Sequence, residues 1–578
     1  MAIKKDRRTF IKNSLLGTGG LFIASNIISC EDDFQEEQAI NSFLNKENQK
    51  FPLGVASFDP TASKVILWSL IETHLSENTL EWQISTDASF ETIIRYGRVT
   101  TSAEVNYTVS VEVQDLDENK KYFYRFIDII TRSVSVVGET HTFSEVSLNS
   151  LKLGVTSCSN YEIGYFNVYR EIANSEVDIV LHLGDYIYEQ SANSFGQTTE
   201  TAALERTHCP ENELLNLEDY RSRYRQYRTD EDLKLLHQKK PFICIWDDHE
   251  IANDSYKDGA SAHQESEGSF EERKRFAIQA YSEFLPFTTS DTAVGYRSFK
   301  FGKLAKLILL DTRLAGRDKQ LRINDFYDTH GNLNELQFQQ EWLDEDRTIL
   351  GGAQKKWLKS EVLNSTEEWL IIGQQVLMGK MYYPLELIEQ LNDLNLEKTN
   401  NGSVSVESMN HFENVLFELV QIKLRMQILD SSLTSQEKLR VTKVFPYNLD
   451  SWDGYPVERE EVLALFESKK TLVLAGDSHN AWHNEILKEE GISIVNEFAT
   501  SSVTSPGFEN IVDDPDQRQN FQTGIKTLVD QLSYFNGSNR GYIELNLQQG
   551  SAISNWMMVD TILTKESNLI IDHSVSIS

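Results

Sequence analysis

Cysteine is scarce in this chain, 4 among 578 residues, so no disulfide framework can hold it together. Proline is scarce as well, at 10, which excludes a proline-rich or collagen-like organisation. Basic residues are outnumbered, 55 Lys and Arg against 88 Asp and Glu, for a formal net charge of −33. Such a surface repels nucleic acid and acidic membranes at long range, and nucleic-acid binding is not expected. An anionic small molecule is not excluded, because bound metal ions can reverse the local potential of a site whatever the charge of the whole. What is present is the composition of a folded chain: 40% hydrophobic, 10% aromatic and 25% charged, over a length that predicts several cores.

Residues 1–30 read as an address. Lys4, Lys5, Arg7 and Arg8 precede an apolar stretch from Leu15 to Ala24 that is too short to span a bilayer. Arg7-Arg8 before Thr9-Phe10-Ile11 resembles a twin-arginine export signal, the route of proteins already folded. Ile27-Ile28-Ser29-Cys30 looks like a bacterial lipoprotein cleavage box, with Cys30 as the lipidated residue. The alternative is an amphipathic N-terminal helix with an ordinary buried Cys. The first reading predicts an exported lipoprotein, anchored at the periplasmic face or the cell surface. Cys158, Cys209 and Cys244 then remain, an odd number that leaves at least one thiol to be buried or used. Residues 31–50 are polar and acidic and read as a tether.

From 51 to about 148 the pattern is short alternating runs between turn residues: Lys64–Ile71, Thr79–Ser85, Thr92–Val99, Tyr107–Val113, Lys121–Ile130 and Val136–Phe143. That spacing predicts a small fibronectin-like β-sandwich. After Leu151 apolar runs alternate with helical stretches, the grammar of a mostly buried central sheet in an α/β domain extending over 149–565. The runs are Leu153–Ser157, Ile179–Leu183, Phe242–Trp246, Leu307–Leu310, Leu370–Ile372 and Leu472–Ala475. Each ends in polar residues, and ligands of such sheets bind beyond the carboxyl ends of the strands, so six such ends point to one shared site. Residues 383–440 have helical spacing with a break at Thr399-Asn400-Asn401-Gly402 and read as a helical insertion.

Asp185, after Gly184 at one strand end, reads as a metal ligand or a helix cap. Asp477 repeats the arrangement with His479 two residues on, and two Gly-Asp ends in one sheet are harder to explain as caps. Between them Asp247-Asp248-His249-Glu250 places four ionisable side chains in succession at a third end, which packing alone does not require. Carboxylates from three strand ends plus an imidazole form the ligand set of a multinuclear hydrolase, whose metals clamp a phosphoryl group and activate water. Cys158 is either a thiolate ligand or a small buried hydrophobe, and Tyr188 either a phenolate or a core aromatic. As ligands they suit trivalent iron, while surplus oxygen donors suit calcium. His182 and His483 read as packing residues, Cys209 and Cys244 as loop and core thiols. Neither a Walker-type phosphate loop nor a Gly-x-Ser-x-Gly elbow is present.

Taken together, the chain resembles the alkaline phosphatase D (PhoD-like) metallophosphatases. The motifs are Ser157-Cys158-Ser159-Asn160, His182 through Glu189, Trp246 through Glu250, Leu310 through Asp318, Gly373-Gln374-Gln375 and Gly476 through Trp482. They occur in order from about residue 51 almost to the C-terminus. Phe58 stands where the family usually has Gly, a departure in the small N-terminal domain. The resemblance implies an α/β metallophosphoesterase-like core of sandwiched β-sheets flanked by helices, behind the N-terminal sandwich. It implies Fe(III) with Ca2+: Cys158, Asp185 and Tyr188 on the iron side, with Asp248, Asp477 and His479 at the remaining metal positions. Asp247 is a further ligand candidate, Asn253 a phosphate contact, and His249 a proton donor or phosphate-contacting imidazole. The expected reaction is hydrolysis of a phosphate ester by a metal-held oxygen nucleophile, in a monomer tethered to a membrane. A phosphodiesterase or phospholipase acting on lipid head groups shares every ligand, and a non-catalytic phosphate- or calcium-binding surface lipoprotein is the reading outside enzymes.

Overall fold

The computed structural model describes residues 50–288, 295–330, 332–487 and 493–578. The expected signal, Cys30 and all of the tether except Lys50 lie outside the described residues. All six apolar runs after Leu151 form strands: Ser150–Thr156, Ile179–His182, Phe242–Cys244, Ala305–Leu309, Trp369–Gly373 and Lys470–Ala475. They belong to two sheets. The first three lie side by side and parallel in a nine-stranded sheet, the last three side by side and parallel in a seven-stranded one.

The period-2 alternation of strand side chains decides what each residue packs against. Leu153, Val155, Ile179, Leu181 and Ile243 from the first sheet meet Leu307, Leu309, Ile371, Leu472 and Leu474 from the second in one core between the sheets. The intervening Val180 and Phe242 point the other way, onto Tyr169 and Ile172 of helix Asn167–Asn174, Tyr224 of Leu217–Tyr227 and Leu236 of Glu231–Lys239. Ile308, Leu370, Ile372 and Val473 likewise face Leu358 and Val362 of helix Gly351–Leu363 and Val462 and Phe466 of Pro456–Phe466. Both faces of both sheets are therefore covered, in four layers: helix, sheet, sheet, helix. Each fully buried aliphatic side chain contributes about 1.5–3 kcal/mol to that stack. Among the polar exceptions in these layers, His182 is satisfied: its Nε2 lies 2.8 Å from the Tyr169 hydroxyl, and burial pushes its pKa down to about 3.

The six expected N-terminal strands are present with a seventh, Val55–Phe58, before them, but they divide between sheets. Val55–Phe58, Val65–Leu70 and Thr108–Val113 complete the nine-stranded sheet, because Phe58 pairs in parallel with Phe242. Glu77–Ser85, Ile93–Ser102, Lys121–Asp128 and Gly138–His141 form a four-stranded sheet of their own. Val65, Leu67, Leu80, Ile84, Tyr124 and Phe126 share one core between the two. At the other end, strand Leu569–Ile577 pairs with Ser551–Val559, so the sheet continues past the boundary expected at 565. Its half-exposed edge carries Asp572, Ser574 and Ser576, which gives it little apolar signal.

The helical insertion consists of Leu385–Asn401, Val406–Gln427 and Ser435–Thr442. The first helix ends where expected, with Gly402 in the left-handed conformation (φ +76°) as its C-terminal cap. Tyr382–Pro384 pairs antiparallel with Val444–Pro446 and draws the two ends of the insertion together.

Candidate metal centre

Cys158 follows strand Ser150–Thr156, Gly184-Asp185 strand Ile179–His182, Asp247-Asp248 strand Phe242–Cys244, and Asp477 strand Lys470–Ala475 of the other sheet. Four site residues hold left-handed backbone: Cys158 (φ +61°), Asp185 (+54°), Asp477 (+56°) and His479 (+60°). Non-glycine residues pay strain there, and such strain collects at functional sites. Gly184 (φ +103°) is required by contact: a Cβ would lie 2.3 Å from the Asp247 Cβ, so only glycine lets these two strand ends approach. Glu250 then staples them, accepting backbone N–H bonds from Asp185 (3.0 Å), Tyr186 and Asp247 (2.7 Å). This corrects the reading of Asp247 to Glu250 as four side chains that packing does not require. Glu250 is turned inward, to amides that have no other partner at a strand end.

The donor atoms converge. Cys158, Asp185 and His479 form one group, Asp185, Asp248 and His249 a second, and Asp247, Asp248 and Asp477 a third, with the atoms of each within 4.8 Å of one another. Among the described residues every such group falls at this one place. The Tyr188 hydroxyl donates to Asp185 Oδ2 at 3.1 Å and lies 3.1 Å from His479 Nε2. All seven expected metal ligands are thus brought together, with His249 among them. His249 Nδ1 is 2.6 Å from Glu189 Oε2, while the other Glu189 oxygen accepts the backbone N–H of Asn253 at 2.7 Å. Asn253 itself is half-buried at the rim.

Three residues were not singled out from the sequence: Glu189, Arg313 and Asp450. Arg313 is fully buried, and its guanidinium meets Asp247 Oδ1, Asp248 Oδ1 (3.4 Å), Asp477 Oδ1 (3.0 Å) and Asp450 Oδ2 (2.7 Å). It stands within the Leu310–Asp318 motif, and a lone cation ending a buried strand in so acidic a chain was the available signal. Glu189 closes the motif from His182. Asp450 comes four residues after the three-residue strand Val444–Pro446, too short a run to carry a signal.

The electrostatics are those of a cation-binding pit. Burial pushes the Asp185 and Asp247 carboxyls well up, with neighbouring carboxylates adding to it, and pushes Asp477 up to about 7. Burial works the same way on Asp248, but Arg313 and His249 outweigh it and bring that carboxyl down to about 2. The Cys158 thiol and Tyr188 phenol are pushed well up by burial, then by Asp185. Burial opposes the charge on His249, yet Glu189, Asp185 and Asp248 hold its pKa well above the ordinary histidine value. Half-buried His479 falls to about 4, desolvation again the main cause. Protons held on carboxylates and a thiol in this way are what a metal cation displaces. Asp247 Oδ2 is buried without a hydrogen-bond partner, as an unused ligand atom should be, and Asp248 Oδ1 has none beyond its 3.4 Å ion pair with Arg313. The residues fit bound metal.

Paired sheets between helix layers, with groups of acidic side chains able to hold a metal at the strand ends, define an α/β protein with the fold of the solved PhoD structure. The model of the PhoD-like phosphatases matches residues 153–556, and that of their N-terminal domain residues 37–144. The chain belongs to the PhoD-like phosphatase family and is a phosphoester hydrolase. It is similar to alkaline phosphatase D of Bacillus subtilis (strain 168), 31% identical over 531 residues that cover 87% of this chain and 76% of that protein. The solved structure of PhoD aligns with a TM-score of 0.71 at 26% identity, covering 92% of this chain and 91% of that one. A purple acid phosphatase from yellow lupin (Lupinus luteus) seeds, at 9% identity and a TM-score of 0.50, covers 91% of this chain and 74% of that one and shares the fold alone.

Proposed function

We propose that the chain is an exported, lipid-anchored alkaline phosphatase of the D type, hydrolysing phosphate esters with Fe(III) and Ca2+. The observation that carries this reading is the meeting of Asp185 with both Cys158 and His479 on one side and Asp248 and His249 on the other. Cys158, Tyr188 and Asp185 would hold iron, a thiolate and phenolate set suited to a trivalent ion, and the oxygen-rich Asp247, Asp248 and Asp477 would serve calcium. His479 completes the donor set. When bound, such metals neutralise phosphate oxygens and lower the pKa of water enough to make a nucleophile at neutral pH. With Nδ1 of His249 committed to Glu189, only its Nε2 is left to meet the ester. That atom would contact a phosphate oxygen or give a proton to the leaving alcohol. Burial of Cys158, Asp185, Tyr188 and Asp247 keeps water from the donors and strengthens each charge contact.

The test is hydrolysis of an aryl phosphate by the purified protein, beside an aryl phosphodiester and a phospholipid to rank substrate classes. EGTA is expected to abolish turnover, and added calcium to restore it, because oxygen donors exchange calcium more readily than a thiolate and phenolate release iron. Full activity after exhaustive calcium removal would reject calcium. Localisation has its own test. Cys30→Ala is expected to release the protein from membranes with specific activity intact, whereas a variant that stays bound as the wild type does removes the anchor from the proposal.

A further inference from the structure

The helical insertion returns a carboxylate to the metal pit. Four residues past strand Val444–Pro446, Asp450 reaches the site with its side chain 14% exposed, and its Oδ2 accepts from Arg313 Nη1 at 2.7 Å. Its other oxygen and its backbone carbonyl both accept from Nη2 of Arg317. Arg317 is fully buried and ties back to the Thr312 carbonyl at 3.1 Å. Asn448 Oδ1 in turn accepts the Asp450 N–H at 2.9 Å. Asp450 therefore grips two buried guanidinium groups and is itself held by the returning segment.

Arg313 needs that grip. Its Nε edge meets Asp247 and its Nη2 meets Asp248 and Asp477, so it joins carboxylates from both sheets. A planar guanidinium can do this only in one orientation, and Nη1 is the edge left to set it. Asp450 takes Nη1. We propose that Asp450 is a positioning residue of the phosphatase site: it orients Arg313, and through Arg313 the carboxylates of Asp247, Asp248 and Asp477. The closure of the insertion is then a condition for assembling the site. This rests on the proposed function for its activity readout and for calcium as the metal titrated.

The test compares Asp450→Ala, Asp450→Asn and Asp450→Glu with Arg313→Ala and the Asp450/Arg313 double variant. Calcium affinity is read by titration of metal-free protein and thermal stability by melting, both beside kcat and KM on an aryl phosphate. Partners that orient metal ligands typically cost about 10–100-fold in affinity or activity when removed, and Asp450→Ala is expected in that range for calcium affinity and for kcat, with KM moving less. Asp450→Asn retains one acceptor and should fall between Ala and wild type. The decisive measure is the double variant: if Asp450 acts through Arg313, adding Asp450→Ala to Arg313→Ala changes calcium affinity little further. Additive losses, or a lower melting temperature with calcium affinity and kcat unchanged, would overturn the proposal. If the Ala variant does not fold, Asp450→Asn and Asp450→Glu carry the same comparison. A wild-type protein that binds calcium but hydrolyses no phosphate ester would reject the proposed function and leave the affinity cycle readable.

Discussion

Replacing Cys158 with alanine is expected to abolish turnover and strip metal from the protein while leaving it folded. The side chain is completely buried, and a buried thiol in a core is a small hydrophobe. As such its truncation should cost only about 1–2 kcal/mol, at the lower end of the range for large-to-small core changes. The backbone adds no further penalty, because alanine at φ +61° is no more strained than cysteine. The Sγ atom, however, shares a group with Asp185 and His479, and only Ser157 Oγ, at 3.2 Å, takes its proton. Loss of a direct ligand should exceed the ~100-fold upper range for residues that only orient ligands. Elemental analysis should show iron falling towards zero, and any thiolate-to-iron absorption should vanish. Cys158→Ser sharpens the comparison, since it retains volume and hydrogen bonding without a thiolate. A serine variant with stoichiometric iron and near-normal turnover would show that the thiol merely packs, and the iron side would have to be rebuilt around Tyr188 and the carboxylates.

The strands that carry this site could be read from the sequence because they are apolar on both faces, and few other segments of an acidic chain are. The same property hid the number of sheets. Leu307 and Ile308 face different layers, one a second sheet and the other a helix, and both layers demand the same kind of residue. The pairing of Phe58 with Phe242 was hidden for a related reason, since an edge strand of a small sandwich and an inner strand of a large sheet differ only in their partner. At the site, glycine followed by aspartate at two strand ends was legible because the geometry leaves few alternatives. Glu250 was not, because a carboxylate aimed at three amides and one aimed at a metal have the same sequence signature. Asp450 depends on more than sixty residues folding out and back, which no local pattern encodes. Arg313 was visible as a motif residue, but a role as a fixed cation among four carboxylates follows only from their placement.

Asp185→Asn is expected to be inactive and, without metal, more stable than the wild type. The loss of activity follows from sharing: Asp185 belongs both to the group with Cys158 and to the group with Asp248, so one substitution damages two ligand sets. The gain in stability follows from charge. Burial, reinforced by Asp247, Asp248 and Glu250, makes the ionised Asp185 carboxylate costly in the metal-free fold, with His249 offsetting part of that cost. A neutral amide of the same shape removes the penalty and keeps an acceptor for the Tyr188 hydroxyl. The sign extends to pH. For carboxyls raised on folding, the native state holds more protons than the unfolded chain above pH ~4, so stability falls as pH rises through that window. Asp477, at about 7, sets the upper end of its own contribution near neutrality. Asp248, lowered to about 2, contributes the opposite slope only at more acid pH, where its stabilisation is lost as the carboxylate protonates. Urea melts of chelator-treated protein between pH 4 and 8 should therefore show the stability of the wild type declining towards neutrality relative to that of Asp185→Asn, since the buried histidines lowered on folding, which slope the other way, are common to both. Bound calcium and iron should reverse the order, stabilising the wild type by mass action and the variant hardly at all. A variant that binds metal stoichiometrically and turns over normally, or one whose metal-free form is less stable than the wild type at neutral pH, would remove Asp185 from the centre of the site.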